Sequence, residues 1–305
     1  MIETFKVELA HSITLSYRAT GPLDKPLLVF LHGFPEGAFI WDEVISLLGT
    51  RYRCVAPNLR GYADSSSPAE VEAYHARELA ADIEALVHHL DAPVAALVAH
   101  DWGGAVAWAL GARAPHWLQR LVIINSPHPA TFLRELQRNP AQQAASAYMG
   151  FLSRPDAEPM LIANDYERMW QFFTGMGAID GSQPGAGWLT DAIKEEYRKV
   201  WGQGLNGALN YYRVSPLKPA AGGLDRLGAV QLPASLTHVR VPTLVLWADA
   251  DIALLPALLD GLDEYVPQLS VVRIAEATHW VVHEQPALIA GEIADFVEQG
   301  QAEAV

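Results

Sequence analysis

Continuous apolar runs alternate with amphipathic stretches along the first part of the chain. Two short apolar segments, Phe5–Leu9 and Ile13–Tyr17, predict a hairpin-like pair of edge strands. The unbroken apolar run Pro26–Leu31 predicts a strand buried on both faces, ending at the turn His32-Gly33-Phe34-Pro35. A helix over Trp41–Leu48 and a strand over Arg51–Ala56 follow. The stretch His75–Leu90 carries Leu79, Ile83, Leu86, Val87 and Leu90 on one stripe, the spacing of a helix with one buried face. Then come a strand at Val94–Ala99, a helix at Gly103–Ala114 that stops before Pro115, and a strand at Leu121–Ile124. Strands alternating with helices predict an α/β fold, a mostly parallel sheet with helices on both faces.

The rhythm breaks between Pro127 and His238. Aromatics are frequent there, Gly181–Gly187 is a Gly/Pro-rich break, and the segments Pro140–Leu152, Ala163–Thr174, Thr190–Trp201 and Leu205–Tyr212 look helical. This reads as an inserted α-helical subdomain. The sheet pattern resumes at Val241–Trp247 and Leu269–Ile274. A last helix spans Pro286–Glu298, and the tail after Gln299 reads as frayed. The expected organisation is a core of residues 1–126 and 239–305 with a helical cap of residues 127–238.

Of 305 residues, 50% are hydrophobic and 18% charged, which fits a compact enzyme with a sizeable core. The net charge of −14 argues against nucleic acid and anionic membranes as partners. No apolar run approaches the roughly 20 residues of a membrane span. The start, Met1-Ile2-Glu3-Thr4-Phe5-Lys6, does not look like a signal peptide. The single cysteine, Cys54, sits in the strand-like Tyr52–Ala56 and gives no disulfide argument for secretion. A soluble cytoplasmic protein is expected; a homodimer is left open.

The chemistry concentrates at Val98-Ala99-His100-Asp101-Trp102-Gly103-Gly104, where a buried strand meets a helix. Small residues two positions either side of Asp101 permit a sharp turn that pushes the central side chain out at the carboxyl end of the sheet. An aspartate there has two uses. It can cap the following helix, or it can attack substrate as a carboxylate nucleophile and form an ester. Its companions favour the second. The His32-Gly33-Phe34-Pro35 loop offers the backbone N–H of Phe34 to an oxyanion, and Trp102 offers another. His32 itself reads as a structural hydrogen-bonder. His279, in the loop after the last strand, can reach over the sheet, and Asp249 or Asp251 can orient it. The order nucleophile, acid, histidine suits this fold. The end of the strand at Asn125, another place for the acid, has no carboxylate.

With these residues in view, the sequence resembles the epoxide hydrolase branch of the α/β-hydrolases over nearly its full length. His32-Gly33-Phe34-Pro35-Glu36 looks like that family's oxyanion loop. His100-Asp101-Trp102-Gly103 looks like its nucleophile motif, and His279-Trp280 like its histidine–tryptophan pair. Asp251, five residues before Pro256, matches its acid and favours Asp251 over Asp249. The resemblance implies the α/β-hydrolase fold with a helical cap. It also implies two cap tyrosines that hold the epoxide oxygen, matched by Tyr212 in Leu209–Arg213 and by Tyr148 in Tyr148–Leu152. Pro35, Met149 and Trp280 are expected in the substrate pocket.

Two departures stand out: Ala99 replaces a commoner glycine, and Asn58–Ala63 has Asn and Ala for a usual Asp and Gly. That loop reads as structural. The implied reaction opens a small apolar epoxide with water through an ester on Asp101. It needs no cofactor or metal, and His88, His89, His128 and His283 show no metal-ligand spacing. The alternatives are a haloalkane or haloacetate dehalogenase and a non-catalytic ligand-binding protein. Haloalkane dehalogenases usually have Asn at the Phe34 position and lack the tyrosine pair. Haloacetate dehalogenases need arginines that Trp102-Gly103-Gly104-Ala105 does not offer.

Overall fold

A computed structural model describes residues 1–181, 187–219, 225–228 and 230–303; most of the Gly181–Gly187 break therefore lies outside the described residues. The sheet has eight strands: β1 (Glu3–Glu8), β2 (Thr14–Thr20), β3 (Leu27–Leu31), β4 (Arg53–Pro57), β5 (Val94–His100), β6 (Leu121–Ile124), β7 (Thr243–Ala248) and β8 (Leu269–Ile274). Their order is β1-β2-β4-β3-β5-β6-β7-β8. All neighbours from β4 to β8 are parallel, whereas β2 runs antiparallel to both β1 and β4. Only β1 of the first pair is an edge, which corrects the expectation of two edge strands. The central strands β3, β5 and β6 are buried along their whole length, as their unbroken apolar sequences require.

Helices cover both faces. α1 (Asp42–Leu48) packs against the last helix, while α2 (Ala76–Leu90) packs on α3 (Asp101–Arg113). Between β6 and β7 the chain leaves the sheet and forms α4 (Pro129–Arg138), α5 (Pro140–Ala145), α6 (Tyr148–Leu152), α7 (Ala157–Gly175), α8 (Asp191–Trp201), α9 (Asn206–Val214) and α10 (Asp225–Gly228). After β8 come α11 (Val281–Glu284) and α12 (Pro286–Glu303).

Several helical details differ from expectation. The segment Pro140–Leu152 is two helices, because the buried Gln142 side chain donates to both Ser146 Oγ (2.9 Å) and Ala253 O (2.7 Å) where the chain turns. α7 is broken in its middle: Ala163 is extended, and Asn164, Asp165 and Tyr166 take left-handed φ of 52°, 54° and 60°. The predicted helix start at Ala163 coincides with that break. At the C-terminus the last helix continues through the expected frayed region to Glu303.

The insertion leaves and re-enters the core at one point. The His128 ring accepts the Ala130 N–H at Nδ1, capping α4, and its Nε2 bonds Thr237 O at 2.8 Å. Burial pulls the His128 pKa down to about 4, so the ring stays neutral and can serve as acceptor and donor at once. Among the described residues no helix is long and apolar enough to cross a membrane.

Candidate active site

Asp101 is the first residue of α3 and has φ 49°, a left-handed conformation that costs a non-glycine residue energy and is held by its surroundings. The turn is possible because its neighbours are small. A Cβ on Gly103 would stand 2.6 Å from the carbonyl oxygens of Leu31 and His32, and one on Gly33 would stand 2.3 Å from Asp101 Oδ1.

The Asp101 carboxylate does not stand at the cap position of α3. His100 occupies the N-cap position without a side-chain cap bond. Asp101 Oδ1 instead accepts the Phe34 N–H at 2.7 Å. Burial raises the Asp101 pKa, while His279, His100 and the N–H groups of Phe34 and Trp102 partly counter it. Both expected oxyanion donors therefore act on this carboxylate.

The other oxygen, Oδ2, lies 3.8 Å from His279 Nε2. His279 Nδ1 bonds Asp251 Oδ2 at 2.7 Å. The Asp251 carboxylate is fully buried and saturated with donors: N–H of Ala253 (2.8 Å) and Leu254 (3.0 Å) on Oδ1, and Asn125 Nδ2 (2.9 Å) on Oδ2. Burial alone would raise its pKa, but His279 and these donors lower it. His279 shows the complement. Burial pulls it down, but Asp251 first, then Asp101 and Glu36, bring it up to about 9. Asp249 instead pairs with Arg273 at 2.8 Å on the surface, so Asp251 is the partner of His279.

Tyr212 on α9 is buried, with its ring edge-to-face with Phe34 and Trp102, each 5.1 Å between centroids. Tyr148 on α6 stands 6.2 Å from Tyr212, ring to ring. Burial first pushes both phenols well above their ordinary pKa; the Asp101 carboxylate adds to it for Tyr148, and Tyr148 followed by Asp101 adds to it for Tyr212. Trp280 packs against His279 and Phe173 and donates to Phe173 O at 3.2 Å. Pro35 turns its carbonyl to the insertion, where Trp201 Nε1 donates at 2.6 Å. Met149 is buried next to Tyr148 in α6.

Several residues here were not singled out in the sequence. Asn125, noted there only for lacking a carboxylate, holds Asp251 from the end of β6. Glu36 and His100 form a buried pair, His100 Nδ1 to Glu36 Oε2 at 3.1 Å, and His100 Nε2 bonds the carbonyl of His279 at 3.0 Å. Glu36 Oε1 also accepts from Tyr197 OH (2.8 Å) and faces His283 Nε2 (3.2 Å). Burial opposes ionisation of Glu36, but its hydrogen bonds to His100 and His283 hold its pKa well below the usual range. Phe172 on α7 meets Phe34, Tyr148 and Trp280 edge to face. Glu36 and His100 lie inside the motifs quoted above, and polar side chains beside apolar runs were their signal; Phe172 had none. His32 is structural as expected, accepting the Leu59 N–H at 3.0 Å. Among the described residues no group of three or more His, Cys, Asp or Glu side chains is placed to hold a metal.

A mostly parallel sheet with a carboxylate at a strand-to-helix turn, a histidine over it and an acid behind the histidine defines a class. The family model for the alpha/beta hydrolase fold matches residues 26–286, and the chain belongs to that family. Within it, the chain is similar to mouse epoxide hydrolase 4, at 32% identity over 93% of this chain and 76% of the relative. It is 31% identical to the AB hydrolase superfamily protein YfhM of Bacillus subtilis, over 94% of this chain and 96% of the relative. The crystal structure of a Bacillus megaterium epoxide hydrolase in complex with an inhibitor superposes with a TM-score of 0.86 at 30% identity, covering 96% of this chain and all of that one.

Proposed function

We propose that this protein is an epoxide hydrolase that converts a small apolar epoxide to a vicinal diol through an ester on Asp101. The observation that carries this reading is the asymmetry of the Asp101 carboxylate beneath two phenols. Oδ1 is tied to the Phe34 N–H, Oδ2 is free toward His279, and Tyr148 and Tyr212 lie close enough to feel the charge.

Oδ2 attacks a ring carbon in line, and the breaking C–O bond places charge on the ring oxygen. Tyr148 and Tyr212 hydrogen-bond that oxygen and supply its proton. Their raised pKa keeps them phenols throughout the working pH range, and an alkoxide is basic enough to take a proton from either. The ester is then hydrolysed. His279 takes a proton from water, Asp251 stabilises the imidazolium, and the water oxygen attacks Cγ. Oδ1 becomes the oxyanion, held by the N–H groups of Phe34 and Trp102. Collapse breaks the Cγ–Oδ2 bond, His279 returns a proton to the leaving diol, and the second water proton, left on the Asp101 carboxyl, passes to the tyrosine that gave up its own, restoring both the carboxylate and the phenol.

The two half-reactions are electrostatically linked. The Asp101 anion helps keep His279 protonated. Esterification removes that anion, so the histidine pKa falls when a base is needed. Residues 127–238 act as a cap, with Phe172, Trp280, Met149 and Pro35 around an apolar, largely aromatic substrate compartment.

The test is to incubate the protein with styrene oxide and with a chloroalkane, assaying diol and halide. Diol without halide is expected; halide without diol overturns the reading. In His279→Gln, an adduct should accumulate on Asp101 and appear by mass spectrometry and peptide mapping. An adduct elsewhere removes Asp101 from its role.

A further inference from the structure

We propose that the buried Asp82–Arg60 pair and Tyr211 form a positioning strut that sets where the Tyr212 hydroxyl stands over Asp101; this rests on Tyr212 being an acid in ring opening. The loop Asn58–Ala63, read from sequence as merely structural, is the base of the strut.

Tyr212 meets Phe34, Trp102 and Tyr148 edge to face, and its hydroxyl is within hydrogen-bonding reach of the Trp102 and Tyr148 side chains. Those contacts orient the ring, but how far the hydroxyl projects over Asp101 depends on its backbone. That distance is set by the placement of α9, a helix of nine residues too short to be stable by itself. Tyr211, the residue before, is wholly buried and donates its hydroxyl to the carbonyl of Arg60 at 2.8 Å. Neighbouring residues on a helix point about 100° apart, so one faces the loop while the other faces the nucleophile.

Gly207 lies four residues before Tyr211, on the same helical face. A Cβ there would stand 2.5 Å from Gly61 Cα, and a Cβ on Gly61 would stand 2.8 Å from the Gly207 carbonyl carbon. The helix thus touches the loop at two points one turn apart, which fixes both its rotation and its advance. The loop in turn cannot yield. The Arg60 guanidinium is held by both oxygens of Asp82 on α2, at 2.8 and 2.6 Å, and by Ala73 O at 2.7 Å. Both partners are buried, with 5% and 3% of their side chains exposed. His11 Nε2 adds a third contact to Asp82 at 2.6 Å. The fixed guanidinium fixes the Arg60 carbonyl, and through Tyr211 the helix that carries Tyr212.

A hydroxyl misplaced by about 1 Å costs a reaction step up to about a hundredfold, but only the step in which it acts. Ester hydrolysis uses His279 and the oxyanion donors and does not depend on Tyr212. The test is single-turnover kinetics of the full chain with styrene oxide, following adduct formation and adduct decay separately. Tyr211→Phe removes the hydroxyl and keeps the ring. It should slow ring opening about tenfold or more and change ester hydrolysis by less than about twofold. Gly207→Ala, whose Cβ would stand 2.5 Å from Gly61 Cα and from Ser67 Oγ and so push the helix from the loop, should give the same selective loss. Unchanged ring opening in both variants, or an equal fall in both steps, overturns the proposal. Tyr212→Phe separates the two levels. If it leaves ring opening intact, the acid role of Tyr212 fails and the strut with it. If it abolishes ring opening while Tyr211→Phe and Gly207→Ala do not slow it, the strut alone fails.

Discussion

Gly33 shows how narrowly single residues define the site. Its missing side chain leaves the space in which the Asp101 carboxylate reaches the Phe34 N–H; a Cβ would stand 2.3 Å from Oδ1. Gly33→Ala should therefore lower adduct formation by at least about a hundredfold in a folded protein, checked by intact mass and circular dichroism. His279 yields a second expectation. Its pKa of about 9 owes part of its rise to the Asp101 anion. Asp101→Asn should lower that pKa, read from the ring proton shifts by NMR; an unchanged titration would contradict the proposed coupling. The sign for stability follows from the same shift. Because the folded-state pKa is raised, the stabilisation from the protonated histidine is full below its ordinary range and is lost as pH rises through about 9. Asp101 and His279 were legible in the sequence because turn chemistry and chain order constrain them; chain order left Asp249 and Asp251 open, and the family resemblance chose Asp251. Asn125, Glu36 and His100 were not singled out as site residues, since their roles arise from contacts between distant strands and loops. Nothing in local spacing marks a buried side chain as a partner of a residue 126 positions away.

The central strands were legible to within about two residues at each end, because strands buried on both faces allow no polar interruption. The insertion was less so. Its helices pack on one another and on the core through aromatics, and no single stripe declares which face is inward. α4 was not anticipated: its start is made by a histidine cap and a proline. The break in α7 rests on an Asn-Asp pair, residues that tolerate the left-handed region. α8 is the element that joins the two parts most directly. Tyr197 donates to the buried Glu36 carboxylate and Trp201 to Pro35 O, both on the loop that also supplies the Phe34 N–H. Tyr197→Phe removes a hydrogen bond to a buried charge and should cost about 1.5–3 kcal/mol, measured by urea unfolding. A loss well below that range would mean that Glu36 is held by its histidines alone.

At the scale of the whole molecule, the net charge of −14 surrounds a site where Phe34, Trp102, Tyr148, Phe172 and Tyr212 pack ring against ring. A neutral epoxide does not feel the surface field, so kcat/KM for styrene oxide should change by less than about twofold between low salt and about 0.15 M. An epoxide bearing a carboxylate should react more slowly at low salt and gain as salt is added. The sequence carried the fold class and the family resemblance over almost its full length, since both rest on patterns that repeat along the chain. How the rings of α6, α7 and the loops after β3 and β8 meet was beyond it, because those contacts join segments far apart in the chain. The tether on Asp101 Oδ1 has an isotopic consequence. In heavy-oxygen water the first equivalent of diol should carry no label, because its new oxygen is the protein's own Oδ2. The solvent atom stays behind in the carboxylate. With Oδ1 pinned to the Phe34 N–H, that atom takes the free position, and every later equivalent should be labelled. A carboxylate free to rotate would instead give a second equivalent only partly labelled, so successive turnovers record whether one hydrogen bond holds.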